Sequence, residues 1–348
     1  MINENAQDSP LVAEYILLFH AAALPVLPMG RAEAFHSFQE QSDMVFSDVT
    51  ATVGKTPIVE LGRIAKGLPA RIVAKLEMRN PCGSVKDRVG LALIEDAERA
   101  GRLRPGATLV EATGGNTGIG LAFVAAVRGY RLTLTMPETM SKERVALLRH
   151  LGAEVVLTPG ILMTEAVARA QQIVSETPGA IMLDQFKNPA NPEVHRRTTA
   201  LELWEETRGA IDVFVCAVGT GGTITGVGEV LKQRKPGVRV VAVEPARAAV
   251  LSGRPAQNHQ IPGIGVGFIP GVLNRSILDE VIAVSDEEAF ACARRLAKQE
   301  GILAGPSSGA ALQAALTLAS RKEAAGKVIA VLLADTGERY ITTTLFAA

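Results

Sequence analysis

The chain has 348 residues, with 36 Lys plus Arg against 36 Asp plus Glu and a pI near 7.0. A length of this order suggests about two domains; the charge balance argues against a nucleic-acid partner, which calls for a basic excess to neutralise phosphates, and against a surface held to anionic lipid. Hydrophobic residues make up 47% and charged residues 21%, as in a folded globular chain, and with aromatics at 4% the core has to be built from Ala, Val, Leu and Ile.

Residues 1–47 stand apart from the rest. Their apolar run, Leu11 to Met29, contains Glu14 and His20 and lacks a basic leader, so it reads as neither a signal peptide nor a membrane helix. The expectation is a flexible or over-called extension, with Met29 and Met44 as alternative starts, dispensable for the chemistry. Cys82, Cys216 and Cys292 lie far apart. They form neither a disulfide framework nor a zinc pair, and a reducing cytoplasm is the compartment they suggest.

From about residue 52, short β-branched runs alternate with amphipathic windows, the rhythm of parallel sheets with crossover helices. Strands are expected at Arg71–Glu77, Thr108–Glu111, Arg131–Met136, Glu154–Leu157, Ala180–Leu183, Asp212–Val218, Arg239–Val243, Val281–Val284 and Val328–Leu333. Most are continuously apolar, which fits strands covered on both faces. Helices are expected at Val89–Ala100, Thr117–Arg128, Lys142–Leu151, Met163–Glu176, Pro192–Thr207, Ile224–Gln233, Asp286–Gln299 and Ala310–Ala325. The fold class is α/β, in two open units that meet near residues 186–192.

Ligands of open α/β sheets sit beyond the carboxyl ends of the strands, so the loops there carry the functional reading. Gly219-Thr220-Gly221-Gly222-Thr223 opens a helix and suits an anion held by backbone N–H groups and the helix dipole; a plain tight turn is the alternative. It lacks the Lys-Ser/Thr of a nucleotide-binding P-loop and is not a dinucleotide fingerprint. Thr113-Gly114-Gly115-Asn116-Thr117 is a second turn into a helix, able to hold a carboxylate or simply to cap. Lys86 sits at a helix start, where the dipole disfavours an ammonium; the placement suits a neutral or covalently engaged lysine, or an ordinary exposed one. Gly305-Pro306-Ser307-Ser308-Gly309 is a fourth turn, and Gly263–Gly267 is either a lid hinge or a turn. His195, His259 and Cys82 read as structural.

These elements, in this order, resemble the cysteine synthases (O-acetylserine sulfhydrylases) of the pyridoxal-phosphate-dependent β-family, fold type II, over residues 48–346. The carriers are Thr56-Pro57, Asn80-Pro81 with Ser84–Arg88, Gly115–Gly118, Gln185-Phe186 with Asn188–Pro192, Gly219–Thr223, Ser307–Ala310 and Gly337–Tyr340. The resemblance implies two open, twisted α/β domains with the cofactor between them: a smaller mobile one over 80–188, a larger phosphate-binding one over 189–348, and a segment, 48–79, belonging to the larger. It implies that Lys86 forms the Schiff base with pyridoxal 5'-phosphate, that Asn116 bonds the ring hydroxyl, that Gly219, Thr220, Gly221, Gly222 and Thr223 cradle the phosphate, and that Ser307 meets the ring nitrogen. Thr113, Gly114, Gly115, Thr117 and Gln185 would surround the substrate carboxylate, with Gly265 facing them from the other domain. The implied reaction joins O-acetylserine and sulfide into cysteine and acetate, in a homodimer whose pocket can also take the C-terminal tail of serine acetyltransferase. A hydroxyl at the ring nitrogen, unlike a carboxylate, favours β-elimination over transamination.

One position departs from the family: Gly114 stands where these enzymes usually carry Ser. A lost hydroxyl contact leaves room for a nucleophile larger than sulfide. Rival readings are a cystathionine β-synthase-like reaction, an O-phosphoserine-using enzyme with Arg254 as an extra contact, and a non-catalytic homologue that binds a partner's tail. A dehydratase fits less well, because the loop reads Gly-Asn-Thr-Gly.

Overall fold

A computed structural model describes residues 45–160 and 163–347. The expectations placed on residues 1–44 lie outside the described residues. In chain order the elements are β1 (Ile58–Glu60), β2 (Arg71–Leu76), α1 (Lys86–Arg99), β3 (Thr108–Ala112), α2 (Asn116–Arg128), β4 (Arg131–Pro137), α3 (Lys142–His150), β5 (Glu154–Thr158), α4 (Met163–Glu176), β6 (Ile181–Met182), α5 (Ala190–Arg197) and α6 (Thr199–Glu206). They continue with β7 (Val213–Ala217), α7 (Gly222–Arg234), β8 (Arg239–Pro245), β9 (Glu280–Val284), α8 (Asp286–Glu300), α9 (Pro306–Ala319) and β10 (Val328–Leu333).

The strands form two open sheets. One runs β5-β4-β3-β6 and is parallel throughout; the other runs β1-β2-β10-β7-β8-β9 and is parallel except for the β1–β2 pair. Crossover helices cover the sheets, as parallel pairing requires. The central strands β3 and β10 are buried along their full length, whereas the edge strands β5 and β9 keep partial exposure. This is the α/β architecture the alternation of runs predicts. Among the described residues, no helix is long and apolar enough to cross a membrane.

Two local expectations need correction. Ile58–Glu60 pairs antiparallel with β2 and was not expected as a strand; three residues are too few to display a period. The window Pro192–Thr207 is not one helix but two, α5 and α6, broken at Thr198 (φ −127°, ψ −78°). The Thr198 hydroxyl donates to the Val194 carbonyl at 2.6 Å, a back-bond of the kind that bends helices.

Helix α1 begins without a side-chain cap, and the Lys86 N–H donates to Ser84 Oγ at 3.2 Å. Its packing partner is α2, and the two meet through glycines. A Cβ on Gly90 would fall 2.5 Å from the Gly120 carbonyl carbon, and a Cβ on Gly120 would collide with the Lys86 carbonyl oxygen. The backbone that carries Lys86 is therefore seated directly on α2. Gly120→Ala is expected to cost about 1–3 kcal/mol of stability through overpacking, read as a lowered Tm. An unchanged Tm would contradict this close approach.

Candidate active site

The carboxyl ends of β3, β6, β7 and β10 open into one cavity of about 810 Å³, whose lining includes Glu111, Met182, Ala217 and Ala334. The lining brings together Lys86, Thr113–Thr117, Gln185, Gly219, Thr220, Gly221, Thr223 and Ser307, residues spread over more than 200 positions of sequence.

Lys86 makes no ion pair with any described residue. Burial pushes its ammonium below the ordinary range, with Cys216 and Asp335 opposing more weakly. Residual exposure of the residue comes with its place in the cavity lining. A neutral amine is the form that attacks a carbonyl or takes up a proton.

At the mouth of α7, Gly221 adopts φ +82°, a left-handed conformation natural to glycine. A Cβ on Gly219 would strike the Gly263 carbonyl, and one on Gly222 would strike the Asn191 amide. Thr220 Oγ1 accepts from Asn191 Nδ2 at 2.9 Å, and Thr223 Oγ1 meets His195 Nε2 at 3.1 Å. His195 is fully buried, and desolvation, aided by Arg88 and Lys86, holds its pKa well below the usual value, so the ring is neutral. The loop is thus an uncharged nest of N–H groups and hydroxyls on a helix N-terminus, fitted to a phosphate. Gly222 itself does not reach the lining.

The second loop is braced from both sides. Thr113 Oγ1 accepts the Gly115 N–H at 3.3 Å, and Thr117 Oγ1 donates to Gln185 Oε1 at 2.6 Å. The Glu111 carboxylate accepts the backbone N–H groups of Leu183, Asp184 and Gln185 at 3.0–3.2 Å. Burial nevertheless pushes Glu111 up to about 7. Asn116 Nδ2 donates to Asp335 Oδ2 at 2.7 Å, while its Oδ1 accepts from Arg339, which also reaches the Cys82 carbonyl. The second Nδ2 proton remains for another acceptor. Ser307 is buried at the start of α9 and its hydroxyl bonds to no other described residue.

The donor set fits pyridoxal phosphate on these observations: a neutral lysine, a nest for a dianion, a spare amide proton and a free hydroxyl, all on one cavity. Besides Gly222, two expected residues lie outside the lining. Gly265 is outside the lining; its N–H donates to the Val218 carbonyl at 3.2 Å, and a Cβ there would meet Pro245 and His259. The neighbours Gly263, Ile264 and Val266 line the cavity instead. Arg254 is exposed and also outside the lining. Burial, then Asp87, pushes the Cys82 thiol up to about 11, which leaves it a weak nucleophile at neutral pH. Residues that sequence patterns did not single out are Arg144, Asp335, and His195 as the partner of Thr223; Asn191 and Arg339 fall in segments that carry the resemblance, but without a role assigned to either.

Residues 49–335 match the family of pyridoxal-phosphate dependent enzymes. Cysteine synthase A of Salmonella typhi is 51% identical over 313 residues, covering 87% of this chain and 96% of the relative. Cysteine synthase of Staphylococcus aureus is 50% identical over 302 residues, with 86% and 97% coverage. The crystal structure of cysteine synthase from Entamoeba histolytica superposes with a TM-score of 0.85 at 40% identity, covering 93% of this chain and 95% of that one. An O-ureido-L-serine synthase gives 0.84 at 45% identity, with 87% and 96% coverage. The chain belongs to the pyridoxal-phosphate dependent enzyme family.

Gly114 has a structural counterpart. A Cβ there would lie 3.0 Å from Met136 Sδ and from Met140 Cγ. Met136 is fully buried and Met140 only partly, so Met140 is the side that can yield. Gly114→Ser is expected to lower stability by about 1 kcal/mol or more through overpacking, and Met140→Ala in the same chain to recover part of that loss, both measured by thermal unfolding. Equal Tm values for the wild type and Gly114→Ser would show that methionine does not fill this space.

Proposed function

We propose that this chain is a cysteine synthase, replacing the acetoxy group of O-acetyl-L-serine with sulfide to give L-cysteine and acetate. The observation that carries the reading is Lys86, a desolvated lysine without an ion pair to any described residue, lining one cavity with the uncharged turn at Gly219–Thr223 and the Thr113–Thr117 loop. Identity near 50% to curated cysteine synthases over nearly their whole length supports the same choice of substrates.

When bound, pyridoxal phosphate supplies an imine and an electron sink for the bond broken at the substrate Cα. The chain supplies the rest. The amide groups of Gly219–Thr223 and the α7 dipole would hold the phosphate, and Asn116 and Ser307 would orient the ring. Thr113, Thr117 and Gln185 fix the amino acid by its carboxylate. Lys86 Nζ would take the α-proton of the substrate, after which the Cβ–O bond would break and acetate would depart with its electron pair. Sulfide then forms the Cβ–S bond, and Lys86 returns its proton to Cα.

The same reading includes a cytoplasmic homodimer whose pocket takes the tail of serine acetyltransferase; the three free cysteines are compatible with a reducing compartment. A second reading, a nucleophile larger than sulfide, is supported by the likeness to an O-ureido-L-serine synthase; Gly114 does not supply the expected room, because Met136 and Met140 close the space beside it. Comparing sulfide with thiols and hydroxyurea as second substrates separates the two.

Lys86→Ala is expected to abolish turnover, by a factor of about 10² or more for loss of the general base alone, while far-ultraviolet circular dichroism stays unchanged. Turnover within tenfold of the wild type would overturn the assignment.

A further inference from the structure

Among the described residues, one cation on the cavity wall is neither used by the reaction nor paired with a carboxylate. Five charged side chains line the cavity: Lys86, Glu111, Arg144, Asp184 and Lys187. Lys86 is committed to the chemistry, and Glu111 to three backbone N–H groups. Lys187 lies largely in solvent and pairs with Asp184 at 3.7 Å. Arg144 has neither a salt bridge nor a side-chain hydrogen bond to any described residue. Its guanidinium stands over the Tyr340 ring, with Cζ 5.6 Å from the centroid. That ring is itself fixed, because the Tyr340 hydroxyl donates to Asp335 Oδ2 at 2.6 Å.

The guanidinium also faces the substrate loop. Arg144 Nη1 lies 3.9 Å from the point a Cβ would occupy on Gly115. Positions 114 and 115 are both glycine, so no side chain of either residue intervenes between the loop backbone and this part of the cavity wall. A carboxylate drawn out of water into such a place needs either several donors or an opposite charge. The planar fork of arginine matches it in two parallel hydrogen bonds.

We propose that Arg144 binds the α-carboxylate of the amino-acid substrate, supplying through charge the contact that Gly114 does not offer. The proposal rests on the reading above that the Thr113–Thr117 loop faces the amino acid. It makes recognition depend on the charge of that group. An amino acid and its amide, equal in shape, then differ in affinity because of Arg144.

The test uses the holoenzyme and two probes, L-serine and L-serinamide, with binding followed through the visible absorbance of the cofactor. Wild type is expected to prefer L-serine. Arg144→Gln should weaken L-serine roughly 10- to 100-fold, the range of a charged hydrogen bond, and leave L-serinamide within about twofold, so that discrimination collapses. Arg144→Lys should restore part of it. In turnover, KM for O-acetylserine should rise while KM for sulfide holds. Equal weakening of both probes, or none, would overturn the proposal and leave Arg144 as packing on Tyr340 or as part of the neighbouring cavity it also lines. If wild type gives no spectral response to either amino acid or amide, the proposed function itself fails, which is a separate result.

Discussion

Arg88, two residues beyond Lys86 on α1, holds the site in place. It is 1% exposed, and its guanidinium donates Nε and Nη2 to Glu77 at 2.8 and 2.9 Å and Nη1 and Nη2 to Glu202 at 2.7 Å each. Burial works against the Glu77 carboxylate, and Arg88 outweighs it, holding it below the usual range. Lys75, fully buried on β2, joins the same group through Glu202 at 2.9 Å and Glu206 at 2.7 Å. Such a cluster gains little net stability over an apolar core, yet removing one partner strands a buried charge at a cost of about 3–5 kcal/mol. It therefore fixes geometry: β2, the turn at Glu77, the start of α1 and helix α6 have one mutual arrangement. Thr56 and Asn80 belong to this cluster through bonds to Glu77 at 2.6 and 2.9 Å.

That anchoring lets the site keep a lysine where lysine is unfavourable. The N-terminus of a helix repels an ammonium, and burial removes its water, so both effects favour the neutral amine. The turn at Gly219–Thr223 carries no cation either, and would answer a dianion with the dipole of α7 and with hydroxyls held by Asn191 and the neutral His195. Placing a second fixed cation close to Lys86 would lower its pKa further, but it would also compete for the phosphate. Arg144 stands instead beside the Thr113–Thr117 loop, with Nη1 3.9 Å from the point a Cβ would occupy on Gly115.

Much of this was legible in the sequence because it is local. Continuous apolar runs give buried parallel strands, and glycine and hydroxyl turns after them give the loops that line the cavity. What escaped is what depends on meetings between distant segments. Arg144 reads as one more charged residue in the first turn of α3; only its approach to Gly115 and Tyr340 sets it apart. His195 looks like a core histidine until Thr223 is seen against it. Gly265 sits in a glycine-rich run whose spacing does not say which residue turns toward the cavity, and its backbone instead binds Val218. The break at Thr198 leaves the helical period of its window intact, so no pattern announces it.

The central claim is that one lysine, Lys86, carries the cofactor. Reduction of the holoenzyme with borohydride, followed by proteolysis and mass measurement of the peptides, tests it most directly. The account predicts a pyridoxyl phosphate adduct on the peptide containing Ser84-Val85-Lys86-Asp87-Arg88 and on no other lysine. An adduct on any other lysine, or none on a protein that contains the cofactor, would contradict it.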